Sequence, residues 1–161
     1  MQDVTFTPVG ILSSPYTDMQ NMPVQSAGSR GRATINLYDD FTAGLQGLEG
    51  FSHLILLTYL HKAPAEMLTE TPMVDGGEPH GIFATRHMCR PNKIGLSVVR
   101  LIAVQGNHVL IEGADLINET PVLDIKPYIP AFDAVPDASS GWLSAQHIEN
   151  ILTRNNRLSF V

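Results

Sequence analysis

The chain has 161 residues, 43% hydrophobic and 16% charged, with a net charge of −6; it is long enough for one domain with a real core and short for two. No run of about eighteen apolar residues occurs and no basic-then-apolar stretch opens the chain, so a cytoplasmic protein without membrane spans is expected. One cysteine, Cys89, excludes an intrachain disulfide framework, and the acidic balance excludes broad electrostatic binding of nucleic acid but leaves a local basic site open.

Val4, Phe6, Val9 and Ile11, with Thr5 and Thr7 between them, read as an opening strand stopped by Ser13-Ser14-Pro15. Residues 33–38 alternate and read as a second strand. Asp39-Asp40 could cap a short helix carrying Phe41, Leu45 and Leu48. Residues 51–61 are too apolar for a half-exposed strand and read as a buried one, with a short buried helix as the competing reading. Residues 62–79 hold three prolines and Gly76-Gly77 and read as a long exposed loop.

Residues 96–104 and 108–113 around Gln105-Gly106-Asn107 predict a β-hairpin, and residues 121–125 add a strand. After Asp133 the run Pro136-Asp137-Ala138-Ser139-Ser140-Gly141 reads as a linker. Leu143, Ile148, Ile151 and Leu152 then predict a helix near the C-terminus. Short strands with frequent turns predict a mainly β domain, a barrel or a sandwich.

From Pro79 to Ile111 there is no Asp or Glu, while Arg86, Arg90, Lys93 and Arg100 all fall inside. In an acidic protein such a segment is either a chance clearing of carboxylates or a place reserved for an anionic ligand. His80, His87 and Cys89 lie near one another in sequence, but their spacing fits no standard zinc pattern, and no metal site is expected. No G-x-G-x-x-G occurs; Gly44, Gly47 and Gly50 do not make one, so a Rossmann-type cofactor loop has no candidate.

Ala84-Thr85-Arg86, then Arg90-Pro91-Asn92, then Ile94-Gly95-Leu96-Ser97-Val98-Val99 resemble the TsaA-like family, also called TrmO-type or YaeB-like tRNA methyltransferases. Val9-Gly10-Ile11 with Ser14-Pro15-Tyr16 is similar to that family's opening segment, followed by Pro23 and Gln25. Leu48-Glu49-Gly50-Phe51-Ser52-His53-Leu54 is similar to its second block, and residues 120–128 to its third. The resemblance implies a single-sheet closed β-barrel with a few short helices, spanning residues 1–138, and a C-terminal helical tail over residues 139–161. It further implies a homodimer that binds S-adenosylmethionine and methylates the exocyclic nitrogen of threonylcarbamoyladenosine beside a tRNA anticodon.

By the same resemblance, cofactor contacts fall on Gln25, Ser26 and Ala27, on Leu60 and His61, on Arg86, and on Asp115, Leu116, Ile117 and Asn118. An arginine can pair with a carboxylate in fork geometry, and an aspartate can accept from ribose hydroxyls or offset a sulfonium charge. Asp124 or Tyr128 could accept the proton lost by the amine, and Lys126 could hold a carboxylate; alternatively Asp124 and Lys126 pair with each other. Arg90, Asn92 and Lys93 are candidate substrate contacts, with fixing of the loop's own backbone as the alternative for Arg90 and Asn92. Trp142 is expected to pack for the tail helix.

The chain departs from the family pattern at His87-Met88, at Lys93 and at Asn118-Glu119, which places the substrate in question. A barrel that methylates a small molecule, or one that senses the cofactor without transferring its methyl group, is the alternative function.

Overall fold

A computed structural model describes residues 2–74 and 76–158, with side chains through residue 155; the expected tail's last three residues lie outside them. Six strands close an antiparallel barrel: β1 (Gly10–Ser13), β2 (Arg32–Leu37), β3 (His53–Tyr59), β6 (Ile94–Gln105), β7 (His108–Glu112) and β8 (Thr120–Pro127). Their order around the barrel is β1-β2-β7-β6-β3-β8, closed by pairing of β8 with β1. A two-residue pair, β4 (Thr69–Glu70) with β5 (His80–Gly81), stands outside it. Two α-helices follow, α1 (Pro130–Asp133) and α2 (Ala145–Leu158).

The strands alternate because only one face of each points inward. Leu12, Ile35, Leu54, Leu56, Val99, Val109, Ile111 and Val122 are almost fully buried and fill the barrel. Each such side chain removed from water contributes roughly 1.5–3 kcal/mol. Register shifts between Leu57 and Thr58 against β8, and between Leu101 and Ala103 against β7, bend the two long strands toward closure.

Several expectations shift. The opening strand begins only at Gly10, where pairing with β2 and β8 starts; beyond Val122, β8 pairs with β3, and Val4 and Phe6 are exposed. Within residues 51–61 only β3 is a strand, and it is half-exposed rather than wholly buried, since it turns Leu54, Leu56 and Thr58 inward and Ile55, Leu57 and Tyr59 outward. Asp39 and Asp40 do not cap: they occupy the first turn of a 3-10 helix, Asp39–Leu45, whose N-cap is Tyr38. The loop at 62–79 contains β4, and the stretch after β8 contains α1, whose Pro130 supplies a fixed φ at the helix start. The hairpin and the C-terminal helix form where the sequence places them; the first hairpin strand and the helix are longer than expected, and the second strand ends one residue early, at Glu112.

Candidate active site

One cluster forms where three separated segments meet. Ser97 lies at an inward position of β6, paired with buried Leu56, and its hydroxyl donates to Asp115 Oδ1 at 2.6 Å. Asp115 follows the end of β7, where Gly113 and Ala114 donate their amides to the Gly31 carbonyl and so fix the chain's exit. The Ser26 amide also donates to the Asp115 carboxyl, and Arg86 acts on it electrostatically. Burial raises the Asp115 pKa from 3.8 to about 6, against the opposing pull of Ser97, its own backbone amide, Ser26 and Arg86. Arg86, which is exposed, reaches the same loop: its Nη1 donates to Gln25 Oε1 at 3.2 Å.

The next inward position along β6 is Gly95, opposite Thr58. A Cβ there would stand 2.6 Å from Thr58 Oγ1 and 2.8 Å from Leu60 Cδ2, so any larger residue requires those side chains to shift. Among the described residues, Thr58 Oγ1 and both ring nitrogens of His61 are buried without a hydrogen-bond partner. Leaving such groups unpaired costs roughly 1–3 kcal/mol each, a cost that the polar atoms of a bound ligand would remove. Burial and neighbouring Lys62 lower the His61 pKa, with Glu119 opposing, which favours a neutral ring.

The segment from Leu116 to Asn118 is built as a brace. Leu116 is buried, the Ile117 carbonyl accepts from Thr120 Oγ1 at 2.7 Å, and Asn118 Oδ1 accepts the Ser14 amide at 3.0 Å. Asn118 thus spends its side chain on the opening loop. Glu119 takes the left-handed conformation, φ 65°, that a glycine would adopt more readily.

Within the arginine loop, the alternative reading describes Arg90. Its Nη1 donates to the Thr85 carbonyl at 2.7 Å and to that of Ile82 at 3.2 Å, tying the loop together. Lys93 donates to the Ala63 carbonyl at 2.9 Å, while Asn92 is exposed. Cys89 is buried and its amide faces His87 Nδ1 at 3.3 Å; among the described residues no cluster of three potential metal ligands occurs.

Asp124, Lys126 and Tyr128 lie apart from the Ser97–Asp115 pair. Asp124 and Lys126 on β8 sit across from Leu57 and Ile55 of β3, and Tyr128, just past β8, donates its amide to the His53 carbonyl; these belong to the outward-facing set, whereas Ser97 faces inward. Asp124 and Lys126 pair at 2.6 Å on an exposed surface, and the Tyr128 and His53 rings meet edge-on at 6.5 Å. Around them runs an outward apolar ladder of cross-strand pairs, half-buried Ile55 with exposed Val98, half-buried Leu57 with exposed Leu96, and exposed Tyr59 with exposed Ile94.

Three site-forming residues escaped the sequence reading. Ser97 breaks the apolar parity it shares with Val99, which was a legible signal. Asn155 interrupts the apolar stripe of Ile148, Ile151 and Leu152, and it is fully buried. Trp142 packs on the loop before Arg86 rather than mainly on its own helix, stacking on His80 with centroids 4.4 Å apart.

Comparison with known proteins matches this architecture. The family model for the tRNA-methyltransferase O N-terminal domain matches residues 11–134. A Pyrococcus abyssi protein named "Probable S-adenosyl-L-methionine-binding protein" is 40% identical over 141 residues, covering 87% of this chain and 76% of its own length. Human tRNA (adenine(37)-N6)-methyltransferase is 34% identical over 162 residues, covering 92% of this chain and 36% of the human one. The crystal structure of TrmO from Pseudomonas aeruginosa superposes with a TM-score of 0.77 at 37% identity, covering 90% of this chain and 65% of that one. The chain therefore spans less than two thirds of the human and Pseudomonas proteins. Six-stranded barrel, motif loops and sequence agree, and the chain belongs to the tRNA-methyltransferase O family, whose N-terminal domain it carries.

Proposed function

We propose that this protein is a cytoplasmic S-adenosylmethionine-dependent methyltransferase acting on the exocyclic nitrogen of threonylcarbamoyladenosine beside the anticodon of tRNA. The observation that carries the reading is the convergence of the Gln25–Ser26 loop, Arg86 and Asp115 at one barrel end, in a chain of this family. The human relative's name supports the N6 nitrogen of a tRNA adenine as the acceptor and the Pyrococcus relative's name supports the cofactor, while the threonylcarbamoyl group follows from the family resemblance.

The residues present fit the cofactor. Its carboxylate suits Arg86, its ribose hydroxyls or sulfonium suit Asp115, and its polar edges suit the unpartnered Thr58 hydroxyl and His61 ring. When bound, S-adenosylmethionine supplies an electrophilic methyl group attached to a cationic sulfur. The protein's share is alignment: Arg86 and the 24–27 loop hold one end while Asp115, ionised at neutral pH, favours the cation. The adenosine amine gains a methyl group and loses a proton, for which Asp124 or Tyr128 is the acceptor and Lys126 the neighbouring charge.

The same reading includes a homodimer. The ladder of Leu57, Leu96 and their neighbours is an apolar sheet face on the outside of a barrel, where polar residues are the norm. A second copy against it would set Asp124, Lys126 and Tyr128 at the seam between protomers. Among the described residues no helix is long and apolar enough to cross a membrane.

Incubation with methyl-labelled cofactor and tRNA, followed by nucleoside digestion, tests the activity. Label in threonylcarbamoyladenosine, and none in tRNA lacking that modification, is the expected result. Cofactor binding without label transfer to any tRNA would overturn the enzymatic reading in favour of a sensor.

A further inference from the structure

We propose that the C-terminal tail positions both loops of the cofactor site, with Asn155 and Trp142 as the positioning residues; the inference rests on the reading of that site above. Asn155 is fully buried, and a buried amide must be paired. Three of its hydrogen bonds go to one loop. Its Oδ1 accepts the Val24 amide at 2.8 Å, and its Nδ2 donates to the Gln25 and Ala27 carbonyls at 2.7 Å each. One acceptor and two donors on a short stem is the specific inventory of asparagine.

The fit is close on the neighbouring turn as well. Leu152 lies against Gly28, which has φ +80°; a Cβ there would come within 3.1 Å of the Leu152 carbonyl. The held loop then passes the constraint on, since the Gln25 side chain accepts from Arg86. At its other end the tail grips the second loop. Trp142 stacks on His80, with planes 14° apart, and its Nε1 donates to the Ala84 carbonyl at 2.8 Å, two residues before Arg86.

Residues 24–27 and Arg86 belong to distant parts of the chain, joined side chain to side chain by the 3.2 Å bond. The tail bridges them, Trp142 at one end and Asn155 of α2 at the other, using residues beyond the 11–134 segment matched by the family domain. Asn155 and Trp142 touch the loops and act on cofactor through them.

The test compares wild type, Asn155→Ala and Trp142→Phe, the latter retaining an aromatic ring while losing the N–H. In the cofactor-free protein, hydrogen exchange of the Ser29 amide, which donates to the Ser26 carbonyl rather than to Asn155, reports loop order. Asn155→Ala is expected to speed that exchange at least about tenfold, the equivalent of about one hydrogen bond. Calorimetry with S-adenosylmethionine is expected to show about tenfold weaker binding for Asn155→Ala and about threefold for Trp142→Phe. In an Arg86→Ala background the Asn155→Ala loss should shrink below about threefold, because coupled residues are not additive. Unchanged Ser29 exchange, or fully additive affinity losses, overturns the positioning role. The exchange measurement needs no cofactor, so it decides the tail's role even where wild type binds none, a result that would instead remove the proposed function.

Discussion

Ser97 and Asp115 are joined by a 2.6 Å hydrogen bond between an inward position of the longest strand and the loop that leaves β7. The bond holds a carboxyl inside the barrel end, where burial raises its pKa to about 6 from 3.8. The folded state therefore keeps a proton that the unfolded chain releases between about pH 4 and pH 6.

Stability should fall as pH rises through that window and then level off, by up to about 3 kcal/mol from this group. His61, held neutral, acts in the opposite direction below about pH 6.5, so the comparison must isolate Asp115. Urea unfolding of wild type and Asp115→Asn from pH 4 to 7 does so. The difference between the two curves should change across pH 4–6 and stay flat above; parallel curves would rule out a raised carboxyl pKa.

Asp124→Asn should leave folding nearly unchanged, within about 0.5 kcal/mol, because its pair with Lys126 is solvent-exposed. Cofactor affinity should be unchanged too. Methyl transfer to tRNA should slow by about 10²–10⁴ if this carboxylate takes the proton. Full activity in Asp124→Asn with a loss in Tyr128→Phe would move the role to the tyrosine.

Gly95→Ala places a methyl group against Thr58 and Leu60. Overpacking of this kind costs about 1–3 kcal/mol. Thermal unfolding should show that loss together with weakened cofactor binding. An alanine tolerated without either effect would show that this end of the barrel has spare room.

Leu96→Glu puts a charge in the middle of the outward apolar ladder, at a position already 51% exposed. Sedimentation should find wild type as a dimer and the variant as a monomer of similar thermal stability. A monomeric wild type would remove the dimer from the account.

Much of the barrel was legible because its strands carry period-two alternation and the hairpin carries Gly106 at its turn. What was not legible depends on partners distant in sequence. Val4 and Phe6 alternate like a strand, yet pairing of β1 with β2 and β8 spans only residues 10–13. The apolar run at 51–61 looked wholly buried because its outward residues are hydrophobic too, which alternation cannot separate from a two-sided core strand. Arg86 and Asp115 were recognisable from motif resemblance, whereas their connection through Gln25, Ser26 and Ser97 depends on barrel closure. Asn155 shows the limit most clearly. A polar residue in an apolar stripe signals a buried partner without naming which loop it holds.

On the proposed function, Gln25, Arg86 and Asp115 frame a site for a sulfonium cofactor at one barrel end. Calorimetric titration with S-adenosylmethionine tests it most directly, using wild type, Arg86→Ala and, as a control, Arg100→Ala, whose partner is Glu112 on β7. Wild type and the control should bind alike, and Arg86→Ala should bind about tenfold to a hundredfold more weakly, the worth of one charge-assisted contact. Equal affinity in all three proteins, or heat from none of them, would contradict it.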